Sequence, residues 1–125
     1  MRRTRVDPAG LAAYWIDRVE RLLRACVRDR DRLPAAQAVD VPFHELMADD
    51  LGMVARIYER SGLVMTADAR AALARYGAEH RRGRHGQVVY DLAGDFGIAP
   101  AAVRERFGFY FERFPVRIED EEERA

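Results

Sequence analysis

His80, Arg81, Arg82, Arg84 and His85 place five side chains able to carry positive charge around Gly83 and Gly86. The extended apolar run Val88-Val89-Tyr90 follows, then Asp91-Leu92 and Asp95-Phe96-Gly97. Residues of these types in one short loop are suited to holding an anion. Arginine offers a rigid fork of N–H donors to phosphate or sulfate oxygens. Glycine lets the backbone come close to a ligand and adopt positive φ, so that amide N–H groups can turn toward it. Arginine-rich surface loops are also commonly just solvated, and composition alone leaves both readings open.

Other chemistries find less support. His80 and His85 lie near Asp91 and Asp95, but the spacing matches no metal-ligand pattern. Glu45, Asp49 and Asp50 sit at a strand end and a helix start, where capping accounts for them without paired-carboxylate catalysis. Every one of the 21 basic residues is arginine, so there is no P-loop lysine, Schiff base or amine base. Ser61, the only serine, precedes Gly62 at an expected helix end, a poor place for a nucleophile. Cys26, the only cysteine, excludes a disulfide framework and a zinc–cysteine site, and its place on an apolar stripe suggests a small core residue.

With 125 residues and no formal net charge, the chain fits one modest domain and gives no global electrostatic case for nucleic acid or an anionic membrane. The N-terminus lacks an apolar signal core and no apolar run is long enough to cross a bilayer, so the cytoplasm is the expected location. Residues 1–6 and 117–125 are expected to be charged, flexible tails of a single partial domain, 1–125.

The elements that must carry the loop are mainly helical. Asp7-Pro8 starts a long helix, with Leu11, Trp15, Val19, Leu22 and Cys26 as an inward apolar stripe and the pairs Asp17/Arg21 and Glu20/Arg24 outside. Pro34 follows its end. Val39, Val41 and Phe43 alternate as a short edge strand, whose partner must come from Val88–Tyr90, from another chain or from residues this polypeptide lacks. Asp49 or Asp50 caps a second helix ending at Gly62, and Thr66 caps a third that delivers the chain into the glycine loop. Pro100 opens a fourth, whose stripe Val103, Phe107, Tyr110, Phe111 and Phe114 ends at Pro115. The expected fold class is therefore mainly α, about four helices with one or two short strands.

Taken in order, these residues resemble a known family. Asp7-Pro8 to Tyr14-Trp15, Asp29-Arg30-Asp31-Arg32-Leu33-Pro34, Phe43-His44-Glu45-Leu46-Met47-Ala48-Asp49-Asp50, Ile57-Tyr58-Glu59-Arg60 and Gly62-Leu63 are similar to the C-terminal portion of bacterial, actinobacterial-type sulfotransferase-family proteins. Gly83-Arg84-His85-Gly86, Tyr90-Asp91-Leu92, Asp95-Phe96-Gly97 and the helix from Arg104 to Phe114 continue the resemblance. It implies part of a P-loop-like α/β fold that transfers a sulfuryl group from 3′-phosphoadenylyl sulfate to an alcohol, phenol or amine. Arg84 and His85, with Gly83 and Gly86, would belong to the loop that clasps the donor's 3′-phosphate, and His44 would approach the adenine.

The sequence also departs from that family's pattern. Nothing in it corresponds to the Gly-rich phosphosulfate loop, to the central Arg and Ser that hold the 3′-phosphate, or to the usual catalytic base. No catalytic residue is therefore assigned. The expectation is a chain inactive alone, whether truncated, a remnant, or dependent on a partner chain that supplies an N-terminal part. A non-catalytic helical interaction module, pairing through the aromatic helix and the Val39–Phe43 edge, is the competing expectation.

Overall fold

The computed structural model describes residues 5–86, 88 and 90–118. Among them the chain forms seven α-helices and a single turn of 3₁₀ helix, Ala35–Gln37, and no strand. It divides into two compact units. One holds the N-terminal helix and the segment Val88–Phe114; the other holds Leu33–Gln87 and the segment from Pro115 onward.

The first unit is built on α1, Pro8–Arg30, with α5 (Leu92–Phe96) and α7 (Gly108–Arg113) packed along it and α6 (Pro100–Arg106) leading into α7. Pro8 occupies the first turn, where a missing N–H costs nothing. The pairs Asp17–Arg21, at 3.1 Å, and Glu20–Arg24, at 3.0 Å, form as the i,i+4 spacing predicts. The inward face differs from expectation. Ala12 is buried and Ile16, Glu20, Leu23 and Val27 half-buried, whereas Trp15 is 57 % exposed, Leu22 68 %, and Cys26 is exposed. The helix is thus rotated by about one residue position, near 100°, from the face that the bulkiest side chains suggest. Glu20 can lie on the packed face because Arg106 reaches it from α6.

The expected helix from Pro100 to Phe114 is two helices. Phe107, with φ −95° and ψ 11°, ends α6, and Gly108 opens α7. The break lets Phe107 and Phe114, 8 % exposed each, both be buried, so the aromatic stripe is consumed within this unit. α5 lies in a stretch for which the sequence suggested no helix. The Asp91 side chain accepts from the Gly94 N–H, and Gly97, at φ 67°, ends the helix in the left-handed region.

The second unit comprises α2 (Phe43–Ala48), α3 (Asp50–Arg60) and α4 (Ala67–Glu79), packed α2 on α3 and α3 on α4 around buried Met53. Here the expected Val39–Phe43 strand does not form. Residues 38–42 are extended without ladder partners, and Phe43 begins α2, the Pro42 carbonyl accepting from the Leu46 N–H at 3.0 Å. A lone strand leaves its backbone groups unpaired, whereas the good helix formers after Pro42 satisfy theirs locally. The Val88–Tyr90 partner includes Val89, which lies outside the described residues.

The ends of α3 and α4 follow their capping residues. Asp49 accepts from the Gly52 N–H at 2.9 Å and Thr66 from the Ala69 N–H at 3.1 Å. At Gly62, φ 69°, the Leu63 N–H donates to the Tyr58 carbonyl and the Gly62 N–H to the Glu59 carbonyl, the paired bonds of a Schellman end. Among the described residues no helix is long and apolar enough to cross a membrane.

Candidate functional site

The chain leaves α4 at His80 and makes two consecutive turns within the second unit. The Arg84 N–H donates to the Arg81 carbonyl at 3.2 Å and the Gly86 N–H to the Gly83 carbonyl at 2.9 Å. Gly83, at φ 80°, holds the third position of the first turn, and Gly86, at φ 97°, the last of the second. An L side chain at either would be forced into the left-handed region, so glycine is a backbone requirement at both.

These turns enclose an open pocket of about 310 Å³ lined by His80, Arg81, Gly83, Arg84, His85 and Gly86. That volume lies at the small end of ligand clefts. Arg84, His85, Gly83 and Gly86, singled out in the sequence, come together here. His80 and Arg81, named with them in the cationic loop of the sequence, line it as well, whereas Arg82 does not. His44 does not line the pocket; it stands half-buried on α2. Phe43, the residue before it, lies under the Arg82 guanidinium at 5.3 Å.

The imidazoles are placed by specific bonds. The His80 ring stacks on Tyr76 with centroids 3.9 Å apart, and its Nδ1 is 2.9 Å from the Tyr76 carbonyl. A carbonyl only accepts, so His80 Nδ1 carries the proton. Arg84 donates from Nε to His85 Nε2 and from NH1 to the Glu79 carbonyl, both at 2.8 Å. Arginine does not give up its proton, so His85 Nε2 is the accepting nitrogen of a neutral ring. Among the described residues the NH2 group of Arg84 takes no partner.

Among the described residues some arginines are paired with carboxylates, whereas those of this loop, like Arg70 and Arg75, are not. Elsewhere Arg24 pairs with Glu20, Arg56 with Glu45, Arg106 with Asp17 and Glu20, and Arg113 with Asp31. Among the described residues Arg81, Arg82 and Arg84 have no carboxylate partner. Of these, Arg81 and Arg84 line the pocket, and guanidinium groups without counter-charge are suited to oxyanion oxygens. Among the described residues no group of three His, Cys, Asp or Glu side chains is placed to hold a metal ion.

No curated protein and no solved structure matches the chain significantly. Residues 1–67, more than half of the 125, match the model of the sulfotransferase family, a segment running from α1 through α3 to the start of α4 and ending before the loop. The chain therefore belongs to the sulfotransferase family.

Proposed function

We propose that this chain carries the 3′-phosphate-binding part of a sulfotransferase donor site, with 3′-phosphoadenylyl sulfate as the donor and a hydroxyl or amine as the acceptor. The observation behind this reading is the pocket of His80–Gly86, in which Arg81 and Arg84 stand without carboxylate partners among the described residues. Arg84 offers its NH2 edge to phosphate oxygens, while Gly83 and Gly86 let the backbone approach them. His44 approaches the adenine from α2, and the chain corresponds to the C-terminal portion of a bacterial, actinobacterial-type family member.

Transfer itself requires charge stabilisation on the moving sulfuryl group and a base for the acceptor. The chain has no lysine, and its one serine hydroxyl is engaged with the Ile57 carbonyl at 2.7 Å. Alone it binds the donor's bisphosphate and does not turn over; a partner chain would supply the remaining groups, and the complex would work on a small acceptor in the cytoplasm.

Titration with adenosine 3′,5′-bisphosphate tests the reading. Arg84→Ala should weaken binding about tenfold or more, the value of one charge-assisted hydrogen bond. Equal affinity of the two proteins removes Arg84 from any phosphate role. Robust turnover of the donor with a simple phenol by the chain alone overturns the claim of inactivity.

A further inference from the structure

The Arg84–His85 bond closes the pocket's best donor edge, and this has a consequence for any anion that enters. Two of the guanidinium's three nitrogens are occupied, Nε by His85 Nε2 and NH1 by the Glu79 carbonyl. The His85 bond exists only while that ring is neutral, because a protonated imidazole has no lone pair to accept with. Protonation would set an N–H of one cation against an N–H of another across a separation of 2.8 Å, and the pair would part. An oxyanion placed between them then accepts from both, replacing the lost bond with two charge-assisted ones.

Resting on the anion-binding reading above, we infer that His85 is a binding-determining residue and that this pocket takes a doubly charged oxyanion together with a proton on His85. Histidine is the side chain that ordinarily changes charge between pH 5 and 8, so the coupling falls in an accessible range. The surrounding groups favour this outcome. Arg81 and His80 line the same pocket, Arg82 lies over Phe43 at the start of α2, and His44 is the next residue of that helix. Among the described residues these arginines have no carboxylate partner, so an anion that enters meets donors not already engaged by a counter-charge. Binding and protonation therefore favour each other, and by linkage the favour is mutual.

Sulfate is the right probe, because it stays dianionic from pH 5 to 8 whereas a phosphate ester titrates within that range. Calorimetric titration of the full chain with sulfate should show affinity rising about fivefold or more as pH falls from 8 to 5.5, the low end of site–site coupling. Near neutrality, binding in buffers of different ionisation enthalpy should show net proton uptake. His85→Gln keeps an acceptor for Arg84 but cannot be protonated, so it should bind with the weak, high-pH affinity throughout. His80→Gln should retain most of the pH dependence.

The outcomes separate the two claims. If sulfate and adenosine 3′,5′-bisphosphate both fail to bind at every pH, the anion-binding reading falls and this inference with it. If the bisphosphate binds through Arg84 but sulfate affinity is the same at pH 5.5 and 8, with no proton uptake, only the role of His85 is overturned. A pH dependence that survives in His85→Gln and disappears in His80→Gln overturns it as well. Circular dichroism of each variant establishes that the loss, where seen, is not a loss of fold.

Discussion

Arg106, at the end of α6, donates from its Nε to Oε2 of Glu20 in the middle of α1, while Arg24 donates to Oε1 of the same carboxylate. One carboxylate thus ties two helices separated by most of the chain. The hydrogen bond from Arg106 is the main reason that the Glu20 carboxyl is held below its ordinary value, with Arg24 adding to it. A carboxyl whose folded pKa is depressed contributes stability fully above its unfolded value, near 4.5, and loses it as pH falls through the lower folded value. Chemical denaturation of wild type and Glu20→Gln between pH 3 and 7 should therefore show a difference above about pH 5 that closes in acid. A difference that is constant across the range would mean that the Arg106–Glu20 contact is not felt in the folding equilibrium.

The aromatic core and the exposed aromatic residue should behave oppositely. Phe107 is 8 % exposed and its truncation to alanine should cost about 3 kcal/mol. Trp15 is 57 % exposed, and Trp15→Ala should change stability by no more than about 0.5 kcal/mol. Urea unfolding of the two variants reads both, and a Trp15 cost comparable to that of Phe107 would put Trp15 in the core after all.

Asp49 and Gly52 form a coupled pair at the start of α3. Asp49→Ala should cost about 1 kcal/mol through the lost cap. A Cβ at Gly52 would lie 2.0 Å from the Asp49 carboxylate, so Gly52→Ala in the wild type displaces the cap and forfeits the usual gain. In the Asp49→Ala background the same change should stabilise by up to about 1 kcal/mol. A double-mutant cycle with no coupling energy would refute the contact.

Two glycines that a Cβ would leave equally uncrowded should respond with opposite signs. Neither Gly83 nor Gly108 has an atom within 4 Å of a built Cβ, but Gly83 sits at φ 80° and Gly108 does not have positive φ. Gly83→Ala should cost about 1–2 kcal/mol from backbone strain alone, whereas Gly108→Ala should gain a few tenths, up to about 0.5 kcal/mol. Thermal unfolding of both is sufficient, and a gain at Gly83 would exclude the left-handed turn.

What the sequence made legible was whatever is set locally. Pro8, Thr66 and Gly62 mark real helix ends because start and cap signals act within a few residues, although the Asp7 side chain makes no cap hydrogen bond, and Asp17–Arg21 forms because the partners are four residues apart. The packed face of α1 was misread for a non-local reason. Glu20 makes that face look polar, and only Arg106, brought near by folding, neutralises it. The Val39–Phe43 alternation is a strand pattern that no partner strand supports, and the break at Phe107-Gly108 is a packing event hidden inside an unbroken aromatic stripe. At the loop, residue types revealed the donors and the glycine positions, but the bond between neighbouring Arg84 and His85 depends on where each side chain turns.

The outward setting of Trp15 also makes the chain its own optical reporter. It is the only tryptophan, so all indole emission comes from one face of α1. A water-facing indole emits at long wavelength and is open to collisional quenchers such as iodide. Any molecule that comes to lie over Leu11, Trp15 and Leu22 will shift that emission to the blue and shield it, without a label.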